Sequence, residues 1–259
     1  RTPGATSPLV KAVEGGSRRT FLSAFRQRKN PSRLGLMTMG VHRQGVYPFA
    51  PDEVLGVAIG TPNPAYPRQR HVGLIYRLDD SIPRLCHLAW HFKLEDEPLP
   101  TDYCWGTSGL DPVNKTVMAA YVALLQQNAN EVPYGIDFYS DIYFDDNGRY
   151  IAQPIGRGLT CATFILAVFA RNGFNLVESD GWPERPDDVE WQQQIISALT
   201  RCASPEHIDA IKQNVGAKRF RPEEVAAGVI SETIPLEFSA AHALAQEILQ
   251  DLSRSHSIQ

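Results

Sequence analysis

The sequence predicts an α+β fold built around an antiparallel sheet, and three observations carry that expectation. Two neighbouring runs, "HVGLIYRL" (71–78) and "RLCHLAWHFKL" (84–94), alternate from residue to residue and are joined by the short link "DDSIP", the pattern of two strands paired antiparallel. A long apolar stretch, Leu159 to Ala170, contains the pair Thr160-Cys161 at its start and reads as a buried helix with Thr160 as N-cap and Cys161 as its first residue. From Asp180 to the end, apolar residues recur at helix spacing in four segments.

Taken in order, residues 1–33 carry eight Lys and Arg against Glu14 alone, a local charge of +7 that leaves −11 for the rest of a chain whose net charge is −4. With Ser, Gly and Pro scattered through it, this stretch reads as a basic, flexible arm. "LGLMTMGVH" (34–42) and "EVLGVAIG" (53–60) are short β-like runs, and the Pro-rich "TPNPAYPRQR" is a loop. In the paired runs, His71, Gly73 and Ile75 share one face, and Leu85, His87, Ala89 and His91 share one face of the next strand. Pairing can bring His71 and His87 together beside Gly73 and Ala89, small residues that leave room for a helix. "DPVNKTVMAAYVALLQQNA" (111–129) has an Asp-Pro start and helix-spaced Val113, Val117, Tyr121 and Leu124. "FYSDIYFDDNGRYIAQ" (138–153) reads as a hairpin about Asn147-Gly148. The tail segments are "PDDVEWQQQIISAL", "SPEHIDAIKQNV" with Ser204 capping and Pro205 first in the helix, "RPEEVAAGVI" and "LEFSAAHALAQEIL". In the last, Leu244, Ile248 and Leu252 form an apolar row suited to core packing or to a partner protein. The expected organisation is an arm (1–33), a core (34–179) and a helical extension packed on it (180–259).

Composition narrows the function. With 43% hydrophobic and 21% charged residues the chain is of ordinary globular type, and no apolar run approaches the roughly 18 residues of a membrane span. The acidic body makes nucleic acid an unfavoured partner. Cys86, Cys104, Cys161 and Cys202 are widely spaced without a CxxC pair, so neither a disulfide framework nor a zinc motif is signalled, and a reducing, cytoplasmic setting is expected. The chain starts with Arg1, which suggests processing and leaves export by an upstream signal open. There is no Walker-type glycine loop and no GxSxG.

The chemistry-bearing candidate is Cys161. In the first turn of a helix a thiol meets unpaired N–H groups and the positive end of the dipole, which favour the thiolate and can hold an oxyanion. Such a nucleophile needs an imidazole to take its proton and a polar group to orient that imidazole; His71 and His87 supply the residue types. The competing reading is that Cys161 is simply buried, as free cysteine often is.

"HVGLIYRL", then "LCHLAWH", then much later "TCATFILAVF" resembles the circularly permuted branch of papain-like cysteine hydrolases, which includes the lecithin:retinol acyltransferase family and the permuted NlpC-type peptidases. The resemblance covers roughly residues 66–174. It implies a permuted papain-like fold, an antiparallel sheet packed on a Cys-bearing helix, with Cys161 as nucleophile, His71 as general base and His87 as its orienting partner. "VPYGIDF" (132–138) is similar to the tyrosine-bearing segment those families place before the cysteine, which implies that Tyr134, with Thr160 and Ala162, lines the substrate and oxyanion site. There are departures. Acyltransferase members have Asn before the nucleophile and His two residues after it, where this chain has Thr160 and Thr163, so lipid acyl transfer is disfavoured. The 16-residue spacing of His71 and His87 implies a longer turn, and 138–153 looks like an insertion.

The expected activity is hydrolysis of an amide or isopeptide bond in a peptide, a protein conjugate or a cell-wall peptide, with no cofactor; thioester or ester chemistry by the same residues stays open. His91 or Asp102 are alternatives to His87 as orienter. Cys86 is expected in the core, and Cys104 or Cys202 with His207 is a second conceivable thiol pair. Two other classes compete: a metal site from His71, His87, His91 and a cysteine, and an inactive papain-like binding module whose helical extension meets a partner protein.

Overall fold

The computed structural model describes residues 40–61, 69–79, 81–128, 131–139 and 142–256. The basic arm, residues 34–39 of the first β-like run and most of the Pro-rich loop lie outside the described residues. Among the described residues six strands form one sheet: β1 (His42–Arg43), β2 (Leu55–Gly60), β3 (His71–Tyr76), β4 (Arg84–Trp90), β5 (Lys93–Pro98) and β6 (Cys104–Thr107). Their order is β1-β6-β2-β3-β4-β5, with every pairing antiparallel. The described residues also form six α-helices: α1 (Pro112–Asn128), α2 (Cys161–Arg171), α3 (Pro186–Leu199), α4 (Pro205–Lys212), α5 (Pro222–Ile230) and α6 (Phe238–His256). The α+β class expected from the alternating and helix-periodic segments is what the chain forms. None of the described helices is long and apolar enough to cross a membrane.

β2 and β3 are buried along their whole length because both faces of the sheet are covered. On one face Leu55, Val57, Val72, Leu74, Cys86 and Leu88 join Phe164, Ile165, Val168 and Phe169 of α2 in the main core. Each of those four α2 side chains is fully buried, and such burial stabilises by about 1.5–3 kcal/mol per side chain. On the other face Ala58, Ile75 and Leu85 pack with Phe49, Leu99, Tyr103 and Trp105 from loops and β6. The histidine-bearing face is therefore covered by loops, and the helices take the opposite one, contrary to the expectation that Gly73 and Ala89 make room for a helix. What occupies the space beside Gly73 is His87: a Cβ at Gly73 would stand 2.7 Å from the Cβ of His87 and 2.7 Å from Cδ1 of Leu85.

Other elements differ from their sequence reading. The run 84–94 is not one strand but β4 and the start of β5, with His91 and Phe92 making the turn between Trp90 and its partner Lys93. Phe92 adopts a φ of +58°, and its N–H donates to Val132 O at 3.0 Å. The sequence carries no glycine or asparagine there to announce a turn. β6 is four residues of "CWGT", too short and glycine-bearing to read as a strand. The stretch 138–153 holds a single antiparallel bridge, Phe144 with Tyr150, around a turn in which Gly148 takes φ +72°. In α1 the helix forms where expected, but Val113 and Val117 are 72% and 53% exposed, while Met118, Ala119, Val122 and Leu125 are buried. The helix is apolar nearly all round, so its period does not say which face turns inward.

The tail helices belong to the same compact unit as the sheet; Ile248 and Leu252 of α6 and Val225 and Ala226 of α5 lie in the main core. A buried ion cluster ties the segments together. Asp188 at the start of α3, 1% exposed, accepts from Arg185 Nε at 2.8 Å, from Arg219 Nη1 at 3.1 Å and from Arg221 Nη2 at 3.0 Å. Arg185 also pairs with Glu224 of α5.

Candidate active site

Thr160 and Cys161 form the start of α2 as their sequence suggests. Thr160 is the N-cap, its hydroxyl accepting from Thr163 N at 3.1 Å, while its own N–H donates to Thr163 Oγ1 at 2.7 Å. This reciprocal box fixes the entry of the helix and commits both threonine side chains to the cap. Cys161 follows, buried at 6% exposure. The backbone N–H groups of Val72 on β3, of Ala162 and of Cys161 itself act on its sulfur. They favour the thiolate, as does the Arg219 guanidinium, but burial outweighs them and holds the thiol above its ordinary value.

β3 and β4 bring the two histidines into contact. Their ladder runs from Tyr76–Arg84 to Leu74–Cys86; the same register continued sets Gly73 opposite His87. His71 Nε2 then lies 2.6 Å from His87 Nδ1, the rings edge to face at 4.8 Å. His71 Nδ1 makes no hydrogen bond among the described residues. Burial, and then repulsion from His87, pushes the His71 pKa down from 6.5 to about 3, so at neutral pH it is an uncharged imidazole able to accept a proton. His87 is likewise pushed down by burial, against the pull of Glu97 and Glu95 on β5. The Glu97 carboxylate is 3.3 Å from His87 Nε2, without the alignment of a full hydrogen bond. Because a carboxylate only accepts, it favours the tautomer with hydrogen on His87 Nε2. That leaves His87 Nδ1 to accept from His71 Nε2, and His71 Nδ1 free of hydrogen.

Cys161, His71 and His87 line one cleft of about 280 Å³, together with Thr160, Ala162 and Tyr134. The sequence-derived residues therefore converge, although no hydrogen bond joins Cys161 directly to His71. Tyr134 is 5% exposed. Burial, and then the neighbouring Cys161, pushes its phenol well above the ordinary range, against the smaller pull of Arg219 and of the Cys161 N–H. The phenol thus stays protonated next to the backbone N–H that an oxyanion would use. Its main chain is clamped by two histidines: Tyr134 N donates to His91 Nδ1 at 3.1 Å, and His207 Nε2 donates to Tyr134 O at 2.9 Å.

That clamp is where His91 belongs. It stands in the β4–β5 turn and not on the face of His87, with its ring 5.0 Å from that of His207. Burial, and then His207, lowers its pKa to about 4. Asp102 is exposed in the loop before β6. The second thiol pairing does not form: His207 Nδ1 accepts from Gly156 N at 3.2 Å, Cys202 Sγ accepts from Trp90 Nε1 at 3.2 Å, and Cys86 and Cys104 are core residues. Among the described residues no group of three or more His, Cys, Asp or Glu side chains is placed to hold a metal ion; the proposed metal set needed His91 beside His71 and His87.

Sequence reasoning missed several residues of the cleft. Glu95 and Tyr103 line it, as do Trp191 of α3 and Arg219 and Phe220 from the segment between α4 and α5. The alternation of "KLEDEP" could have placed Glu95 and Glu97 on one face of a strand opposite His87; no local signal marks Trp191 or Arg219. Comparison with protein-family models, curated proteins and solved structures finds no match to this chain.

Proposed function

We propose that the protein is a cysteine hydrolase of the permuted papain-like type, cleaving an amide or isopeptide bond in a peptide or protein conjugate. The observation that carries the reading is the 2.6 Å contact of His71 Nε2 with His87 Nδ1 in the cleft that Cys161 enters from the start of α2. A neutral imidazole with one unengaged nitrogen faces the same space as a thiol at a helix N-terminus.

In this mechanism His71 Nδ1 takes the Cys161 proton as the sulfur attacks the carbonyl carbon, forming the C–S bond. The carbonyl oxygen becomes an oxyanion held by the Cys161 N–H and the Tyr134 hydroxyl. His71, its positive charge shared with His87 and faced by Glu97, gives the proton to the leaving nitrogen as the C–N bond breaks. Water, deprotonated by His71, then attacks the thioester; the acid product leaves and the thiol is restored. Since burial favours both the thiol and the neutral imidazole, the proton moves with the chemical step instead of resting beforehand as an ion pair.

A binding module on the same scaffold is the second reading, supported by the raised thiol pKa and the lack of a direct Cys161–His71 hydrogen bond. Iodoacetamide alkylation of each cysteine, followed by peptide mass spectrometry in the native protein and in His71→Ala, separates the two. A hydrolase is expected to show Cys161 reacting far faster than the core thiols Cys86 and Cys104, with that advantage lost in His71→Ala. Cys161 remaining inert until the protein unfolds would establish the binding module.

A further inference from the structure

The cleft has an unusual wall. Arg219 lies between α4 and α5, its side chain 14% exposed, with its guanidinium carbon 3.7 Å from the centre of the Trp191 ring. One nitrogen, Nη1, donates to Asp188. No other guanidinium N–H of Arg219 reaches an acceptor among the described residues, neither Nε nor Nη2 is a fully buried, unpartnered atom, and the residue lines the cleft. A guanidinium offers five N–H donors in a planar fork and cannot shed its charge, so donors facing a half-dry cavity await an acceptor.

Its charge is also under-compensated. Asp188 is shared with Arg185 and Arg221. The other acid beside Arg219 is Glu223, and burial pushes that carboxyl up toward its neutral form. Stacked on Trp191, the guanidinium is held in place before any ligand arrives. The same charge reaches Cys161 and Tyr134, so it sits within electrostatic range of the reacting groups.

Building on the hydrolase reading, we propose that Arg219 selects substrates bearing a carboxylate close to the scissile carbonyl, which its free N–H donors bind as a fork. Trp191 and Phe220 give this subsite apolar walls that exclude water and strengthen the pair. The preferred substrate is thus an acidic peptide, or a conjugate with a free carboxylate next to the bond being cut. Arg219 comes from the tail, so the tail helices supply selection while β3, β4 and α2 supply the chemistry.

Two alkylating reagents test this without a known substrate. Iodoacetate and iodoacetamide differ by a carboxylate against a carboxamide; in both, the Cys161 thiolate forms a C–S bond as the C–I bond breaks and iodide leaves. Their rate ratio at one pH cancels the thiolate fraction. With Cys161 the iodoacetate-to-iodoacetamide ratio is expected to exceed that of free glutathione by about tenfold or more, the factor expected of one charge-assisted hydrogen bond. It should fall toward the glutathione value in Arg219→Gln and be partly kept in Arg219→Lys. A general loss of structure in either variant would also bring the ratio to the glutathione value, but it would release the core thiols Cys86 and Cys104 to react alongside Cys161; a specific effect leaves those two protected, and the wild-type ratio needs no variant at all. A wild-type ratio equal to that of glutathione overturns the role of Arg219 while leaving the nucleophile intact. Cys161 inert to both reagents overturns the nucleophile and this role with it.

Discussion

The molecule contains two histidine pairs of similar spacing, with ring centres 4.8 Å apart for His71–His87 and 5.0 Å for His91–His207. Both are buried. In the second, three ring nitrogens are engaged with main chain: His91 Nδ1 with Tyr134, His207 Nε2 with Tyr134 and His207 Nδ1 with Gly156. In the first, the rings bond to each other, one end of the chain faces a carboxylate and the other faces the cleft. Identical side chains thus clamp main chain in one place and, in the function proposed above, pass a proton in the other. What separates them is what the rings face, Glu97 and the cleft for the first pair and the Tyr134 main chain for the second, not burial and not a shifted pKa, since both His71 and His91 are pushed down.

The sharpest way to break the comparison is to remove one ring from each pair. On the proposed hydrolase mechanism, His71→Ala is expected to lower kcat/KM by about 10³-fold or more on an amide substrate, since it deletes the proposed general base. His207→Ala should instead act on stability, losing about 1–3 kcal/mol because buried main-chain groups at Tyr134 and Gly156 go unpaired; urea denaturation reads this directly. Should His207→Ala lose activity with an unchanged midpoint, the clamp assignment fails. Tyr134→Phe keeps the clamped backbone and removes only the hydroxyl, so a fall of about 10²-fold in kcat with little change in KM is expected from losing one oxyanion donor. Glu97→Gln tests the far end of the relay. The carboxylate is 45% exposed and screened by solvent, so less than about tenfold in kcat/KM is anticipated, with the acid limb of the pH–rate profile shifted.

Titration adds a smaller, quantitative test. Folding lowers the pKa of His71 from 6.5 to about 3 and that of His91 from 6.5 to about 4. Above pH 6.5 both are neutral in either state and contribute no pH dependence. As pH falls below about 6.5 the unfolded chain takes up protons that the folded one refuses, so stability drops, His71 alone removing up to about 1.4 kcal/mol per pH unit. Urea midpoints measured from pH 7.5 down to 4.5 should fall, and the slope should be shallower in His71→Ala. A flat profile would show that these rings are not kept neutral by the fold.

Much of the site was legible because its signals are local. Thr160 before an apolar run announces a cap whatever surrounds it, and period-two alternation sets His71 and His87 on one sheet face once β3 and β4 pair. The turn at His91–Phe92 was hidden because it uses a positive φ at phenylalanine, which the contact with Val132 supports from 40 residues away in sequence. That one turn removed His91 from the relay. Arg219 and Trp191 were invisible for a related reason: they reach the cleft only through packing of the tail, anchored at Asp188, and no spacing in the chain encodes that approach. Sequence pattern thus showed what neighbouring segments place together and missed what long-range packing delivers.

The close approach of His87 to Gly73 has a practical consequence. Adding one methyl group there would press on the Cβ of His87 and force the two rings apart, while Cys161, Tyr134 and the lining residues Trp191 and Arg219 lie on other elements. On the proposed function, Gly73→Ala is therefore a reagent as much as a test: a form that keeps Cys161, the cleft and Arg219 while disturbing the histidine pair, suited to holding an uncut substrate long enough for that substrate to be recovered and identified.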